Sequence, residues 1–309
     1  MYLYKSFVKT KTYYSNNISK MEIIKLENIK KSYGKIKAVD NLSLTVKQGE
    51  IYGFIGPNGA GKSTTIRMLL NFLSPDSGSI SIFGLSPVKD EVQIKQQTGY
   101  VSSDTFMYND MKVSDLFRFS ESYHKINAKE KIKKLVEVLD IDLNKKFEQL
   151  SFGNRKKISI ACALLHSPKL IILDEPSNGL DPVIRINLYE LLREEQKKGV
   201  TIFYSSHVLS EVQKFCTKIA LIKEGNLIKE TSAIEFTNVG YRQVKVESDE
   251  EINFSVLDGV AAFRKNGQTY RFIYSGNSNE LIRILSNVKI KSINIEEPEL
   301  EDVFIHYFK

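Results

Sequence analysis

No stretch of the 309-residue chain approaches the ~18 consecutive apolar residues that a membrane-crossing helix requires. The densest, "KLIILDEP" at 169–176, holds four aliphatic residues in a row. A membrane span of its own is therefore excluded, and a soluble or peripheral protein is expected. Only two cysteines occur, Cys162 and Cys216. Two cannot make a disulfide framework, and their apolar neighbours read as buried thiols in a reducing cytosol. No concentrated basic block is present either. The net charge of +7 comes from lysines scattered along the whole chain, which reads as a solvated surface rather than a nucleic-acid face and is compatible with an anionic membrane surface. Residues 1–20 lack the continuous apolar core of a signal peptide and read as a disordered extension, or a misassigned start, ahead of Met21.

What is present is enough apolar sequence, 42%, for one large or two modest cores. Short strands are expected in "EIIKLENI", in "LSLTVKQGE" with Leu42, Leu44 and Val46 alternating, and in "EIYGFIG". From 61 to 73 the period turns helical, with Ile66, Leu69, Leu70 and Leu73 on one face. Residues 112–148 read as helices that pack as core, on the spacing of Ile132, Leu135, Val136 and Leu139. Two near-continuous apolar runs, "KLIILD" (169–174) and "VTIFY" (200–204), suit strands of a parallel sheet covered on both faces. A hairpin turning on Gly225-Asn226 follows. A boundary falls near 231–240. Beyond it come a second hairpin turning on Asn266-Gly267, a helix over 279–287, a strand "IKSINI" and a final helix in "PELEDVFIHYF". This last part reads as a small α+β domain of about 70 residues without a constellation of catalytic type.

"GPNGAGKST" fits the phosphate-cradling pattern G-x-x-x-x-G-K-[ST]. It comprises Gly56, Pro57, Asn58, Gly59, Ala60, Gly61, Lys62, Ser63 and Thr64. An apolar strand precedes it and a helix follows, so the glycines let backbone N–H groups wrap phosphates at a helix N-terminus. Lys62 is then expected to reach the β/γ-phosphates and Ser63 to offer its hydroxyl to Mg²⁺. Asp174 and Glu175 fall at the carboxyl end of a buried strand, where α/β sheets bind ligands. Beside a Mg²⁺-nucleotide they take separate tasks: Asp174 in the outer sphere of the metal, Glu175 polarising the attacking water. His207 ends another apolar strand on that same edge, whereas His124, His166 and His306 have no such context and read as structural. In "LSFGNRKK" a serine and a glycine stand at a helix start. Ile158, Ala161, Cys162 and Leu165 mark the helix face, and Pro168 lies beyond its end. Ser151 therefore sits where an N-cap belongs, with Gly153 beside unpaired N–H groups.

Over residues 22–230 the chain resembles an ATP-binding subunit of an ABC transporter. "SYG", "GPNGAGKST", "TGYVSS", "LSFGN", "LIILDEP", "NGLD" and "SSH" stand in that family's order. The resemblance implies a P-loop NTPase core with an antiparallel β subdomain and a helical subdomain over residues 21–232. It implies the cofactors ATP and Mg²⁺, ATP hydrolysis coupled to transport, and Tyr33 stacking on adenine. Ser151 and Gly153 would bind the nucleotide of a second ATPase subunit, with Asp181 communicating across the dimer. The region 241–309, ending "EEPELEDVFIHYF", is similar to that of ATPases paired with ABC-2-type exporter permeases. The implied partner is an integral-membrane permease on a separate chain, at the cytoplasmic face of the membrane, with no nucleic acid expected. Two departures stand out. The family's glutamine after "GY(V/L)P" is replaced by Ser103, or by Asp104 in the alternative alignment, so Ser103 becomes the metal-side candidate. "LSFGN" replaces "LSGGQ", with Phe152 where the family has glycine. The competing reading is a soluble ABC ATPase acting on ribosomes or nucleic acid. One Walker-type loop and no sustained heptads weigh against it, and Glu175 with His207 weigh against a nucleotide sensor without turnover.

Overall fold

A computed structural model describes residues 21–105, 108–238 and 241–296. The extension 1–20, the helix expected within 298–308 and His306 lie outside the described residues.

The chain opens with two long antiparallel strands, β1 (Glu22–Tyr33) and β2 (Ile36–Lys47). They run past the expected ends to a tight turn after Tyr33, with irregular register near Ile29 and Lys31. The charged and polar residues from Asn28 to Ser32 hide this continuation from a reading by hydrophobic pattern. β3 (Ile51–Ile55) is buried at every position and leads through the glycine loop into α1 (Lys62–Leu69). β4 (Ser77–Ile82) then pairs with β1, giving the order β2-β1-β4. This strand carries little sequence signal, because four of the six residues in "SGSISI" are serine or glycine and only Ile82 is buried. A short α2 (Glu91–Gln96) leads to β5 (Thr98–Val101).

The helical stretch resolves into α3 (Val113–His124), α4 (Lys129–Leu139), a 3-10 turn at Phe147–Gln149 and α5 (Phe152–Leu165). After it come β6 (Leu170–Asp174), α6 (Pro182–Lys197), β7 (Thr201–Ser206), α7 (Leu209–Phe215) and β8 (Lys218–Lys223). β9 (Asn226–Ser232) folds back antiparallel on β8, and α8 (Ala233–Asn238) follows. The central sheet has the order β5-β6-β7-β3-β8-β9, parallel except for β9. Both faces are covered, as the apolar runs require. Leu170 and Ile172 join the cluster under β1, β2 and α1, whereas Ile171 and Leu173 join the one under the helices.

The last sheet has the order β11-β12-β10-β13, all antiparallel. Its strands are β10 (Arg242–Ser248), β11 (Val260–Asn266) and β12 (Thr269–Tyr274), then β13 (Ile290–Glu296) after α9 (Ser278–Leu285). Val244, Val246, Phe272, Leu281 and Leu285 make one core beneath it. Tyr241, Ala261 and Ile273 pack instead with the large helical core.

Both hairpin turns are shifted by one residue from the expected positions. Lys223 pairs with Asn226, so Glu224 and Gly225 make the first turn, both at positive φ. Asn266 pairs with Thr269, so Gly267 and Gln268 make the second. In each, the asparagine completes a strand pair rather than entering the bend. Both cysteines are free, and burial pushes the Cys162 thiol up to about 12 and Cys216 well above its ordinary value. Among the described residues no helix is long and apolar enough to cross a membrane.

Candidate functional site

β6, β7 and β3 are consecutive in the central sheet, and their carboxyl ends are in register: Asp174 beside Ser205, Ser206 beside Ile55. That adjacency gathers groups separated by more than a hundred residues. The glycine loop leaves β3 and turns into α1 at Gly61, which adopts φ 99°. A Cβ there would stand 2.3 Å from the Ala38 carbonyl oxygen of β2, so the position admits only glycine. Lys62 is buried, and its ammonium donates to the carbonyls of Gly56 (2.7 Å) and Pro57 (3.2 Å). It also pairs with Glu175 Oε1 at 3.1 Å. Ser63 and Thr64 are half-buried in the first turn of α1, Ala60 is buried, and Asn58 and Gly59 are exposed.

Glu175 breaks from the end of β6 in the left-handed region, φ 49°, a conformation that is costly for a non-glycine residue. Its second oxygen, Oε2, meets His207 Nδ1 at 2.7 Å. Because a carboxylate only accepts, the Nδ1–H of the ring donates in this bond. Asp174 is 2% exposed and accepts from the Ser205 hydroxyl (2.7 Å), while Ser205 Oγ accepts the Glu175 amide (3.1 Å). Ser205 thus orients both acids. Glu211 is a second buried support. It accepts from Ser177 (2.8 Å), Tyr204 (3.1 Å) and Ser206 (3.3 Å) and pairs with Arg185 (3.2 Å). Sequence reasoning missed Ser205 and Glu211. The hydroxyl-rich "YSSH" at a strand end was the available signal for the first. For Glu211 there was none, since a glutamate on a short helix reads as solvated.

Tyr33 lies at the tip of the β1–β2 hairpin, 48% exposed, with Ala38 of the same hairpin touching the Gly61 turn. Ser151 caps α5: its Oγ accepts the Asn154 amide at 3.3 Å, and the first-turn amides of Phe152 and Gly153 have no intrahelical acceptor. Phe152 has no positive φ, so its side chain is accommodated without backbone strain, and its ring is 48% exposed. Gly153 approaches the Gly179 carbonyl so closely that a Cβ would stand 2.2 Å from that oxygen. Asp181 caps α6 through bonds to the Ile184 (3.0 Å) and Val183 (3.1 Å) amides, which hold its carboxyl below the usual range. The structure therefore brings Lys62, Asp174, Glu175 and His207 together. Ser151 and Gly153 adjoin the "NGLD" loop instead, and among the described residues no hydrogen bond joins them to Lys62 or Glu175. Ser103 is half-buried beyond the end of β5, and its carbonyl is held by Lys156.

The ABC transporter family profile matches residues 39–178. The bacitracin transport ATP-binding protein BcrA of Bacillus licheniformis is 33% identical over 299 residues, covering 92% of this chain and 96% of that protein. The chain belongs to the ABC transporter family. Within it, this is an ATP-binding and hydrolysing subunit with the P-loop NTPase fold. The linearmycin resistance ATP-binding protein LnrL of Bacillus subtilis is 36% identical over 211 residues, 67% of this chain and 68% of that one. Among solved structures, cbiO1 of Clostridium perfringens, described as part of the ABC transporter complex cbiONQ, superposes with a TM-score of 0.60. It is 28% identical and covers 70% of this chain and 90% of its own. Another ATP-binding subunit of an ABC transporter gives a TM-score of 0.65 at 26% identity, over 68% and 90% of the two chains.

Proposed function

We propose that this ABC subunit binds ATP with Mg²⁺, pairs with a second ATPase subunit, and powers export through a permease on a separate chain at the cytoplasmic face of the membrane. One observation carries the catalytic half of this reading: Lys62, Glu175 and His207 converge on one edge of the sheet. Glu175 is the group that polarises water, His207 orients it, and Lys62 holds phosphate. Backbone amides of Gly59 to Lys62 complete the cradle. Tyr33 offers its exposed ring to the base.

The donor set fits Mg²⁺. Ser63 and Asp174 supply hard oxygen, and among the described residues no group of three or more His, Cys, Asp or Glu could hold a metal. An ion bound largely through nucleotide phosphates and water needs no more. When bound, it would neutralise phosphate charge. The hydrogen bond that the Ser205 hydroxyl donates to Asp174 keeps that carboxylate fixed toward the edge.

Transport is supported by the relatives named for bacitracin transport and linearmycin resistance, and a partner on a separate chain by cbiO1, described as part of the complex cbiONQ. The match to BcrA extends far beyond residues 39–178 and so includes sequence outside the nucleotide-binding motifs. We divide the chain accordingly into an extension (1–20), an ATPase unit (21–232) and a C-terminal unit (241–309).

Glu175→Gln tests the reading. Turnover should fall by roughly 10²–10⁴-fold, the usual worth of a general base, while ATP binding persists and ATP-dependent dimers accumulate. Near-normal turnover would move the role to another residue. Stimulation of the wild type by nucleic acid or ribosomes, but not by permease-containing membranes, would overturn transport.

A further inference from the structure

Lys156 is the one lysine among the described residues with no solvent exposure at all. Burying an ammonium costs several kcal/mol unless it is compensated. Among the described residues no carboxylate pairs with it directly. Its Nζ donates instead to the carbonyls of Ser103 (2.7 Å) and Ser102 (2.8 Å), in the loop after β5. The Phe152 ring lies over it at 5.4 Å, within cation–π range. Burial disfavours its charge, and the fields of Asp174, Asp104 and Glu175 support it. The cation therefore stands between three elements of the site: the start of α5, the loop at 102–105 and the acidic end of β6.

We propose that Lys156 is a positioning residue for ATP hydrolysis, tying the loop that carries Ser103 to helix α5 with a buried charge. A serine side chain reaches less far than a glutamine's, and among the described residues Ser103 is held only through its carbonyl. A glutamine at 103 could hold the loop by its side chain. Here the tether runs the opposite way, from the helix to the loop backbone. Because two carbonyls are gripped at once, a shift of α5 must carry Ser102 and Ser103 with it. Phe152 shields the ammonium from water, which accounts for a bulky ring beside Gly153. The inference rests on the hydrolytic reading of the site given above.

The test is Lys156→Met, near in volume and without charge, which leaves the Ser102 and Ser103 carbonyls without their donor. In nucleotide-free, metal-free protein, amide hydrogen exchange at 102–105 should accelerate at least tenfold relative to wild type, with circular dichroism unchanged. With Mg-ATP, kcat should fall about 10²-fold, the scale of a 1 Å misplacement, and KM should stay within about twofold. Adding Ser103→Gln should recover at least tenfold of kcat, because a side chain then anchors the loop. Unchanged exchange, unchanged kcat or failure of the second substitution to rescue would each overturn the proposal. So would loss of the native spectrum in both Lys156→Met and Lys156→Gln, which would make the lysine a folding requirement. A wild-type protein that hydrolyses no ATP would overturn the function itself, a result distinguishable from all of these.

Discussion

Gly153→Ala adds one methyl group, and two opposing effects bear on it. Gly153 is the second residue of α5, where alanine is the better helix former by about 0.8–1.0 kcal/mol in a helix interior. Propensity alone predicts a more stable protein. The added Cβ, however, would stand 2.2 Å from the Gly179 carbonyl oxygen and 3.3 Å from its carbon. The obstacle is backbone, so rotamer changes cannot relieve it, and the loop must retreat by about 1 Å to reach ordinary contact. Overpacking of this kind costs typically 1–3 kcal/mol, which outweighs the propensity gain. The net loss of about 1 kcal/mol should lower the melting temperature by about 2–4 °C, as for domains of 150–250 residues. Turnover should suffer more. The displaced loop runs from Glu175 to the Asp181 cap, and a 1 Å error near the chemistry can cost 10²-fold. Scanning calorimetry and steady-state ATPase assays measure the two effects. An alanine variant that is more stable and fully active would show that the 153–179 contact is dispensable.

Phe152→Gly should change turnover by about threefold or less, some 0.65 kcal/mol at 1.36 per decade, since the two bonds from Lys156 to the Ser102 and Ser103 carbonyls do not involve the ring that shields the ammonium. A rise of an order of magnitude in the ATPase assay would mean that Phe152 damages the site. Ser151→Arg should abolish ATP-driven dimerisation in size-exclusion chromatography by placing bulk at the anion-facing cap. Tyr33→Ala should weaken ATP binding by about 1–3 kcal/mol, the worth of base–aromatic stacking, with Tyr33→Phe nearly silent by calorimetry. Equal losses would give the role to the hydroxyl. His166 stacks on His124 with ring centroids 4.0 Å apart, and burial, with His124 beside it, lowers its pKa from 6.5 to about 4. The unfolded chain therefore binds the extra proton first, and the stability held above pH 6.5 is lost as the pH falls toward 4. His166→Gln should flatten that part of the melting-temperature profile. An unchanged slope would refute the assignment.

Elements whose chemistry is local can be read from neighbouring residues alone. The glycine loop, the strand–acid run "LIILDEP" and the cap before α5 each need only neighbouring residues, so spacing and residue type reveal them. The covered parallel sheet was legible for the same reason, because uninterrupted apolar runs must be buried on both faces. Strands such as β4 and β10 were not, since their pairing is decided by partners far along the chain. The same holds for the site. Ser205 acts because β6 and β7 are adjacent in register, and Glu211 because α7 folds back over the end of β7. Lys156 looked like one surface lysine among many in "NRKK". Only the packing of α5 against β5 removes it from water and sets its ammonium on the Ser102 and Ser103 carbonyls. Burial of a polar group depends on what the rest of the chain places around it, and no local pattern encodes that.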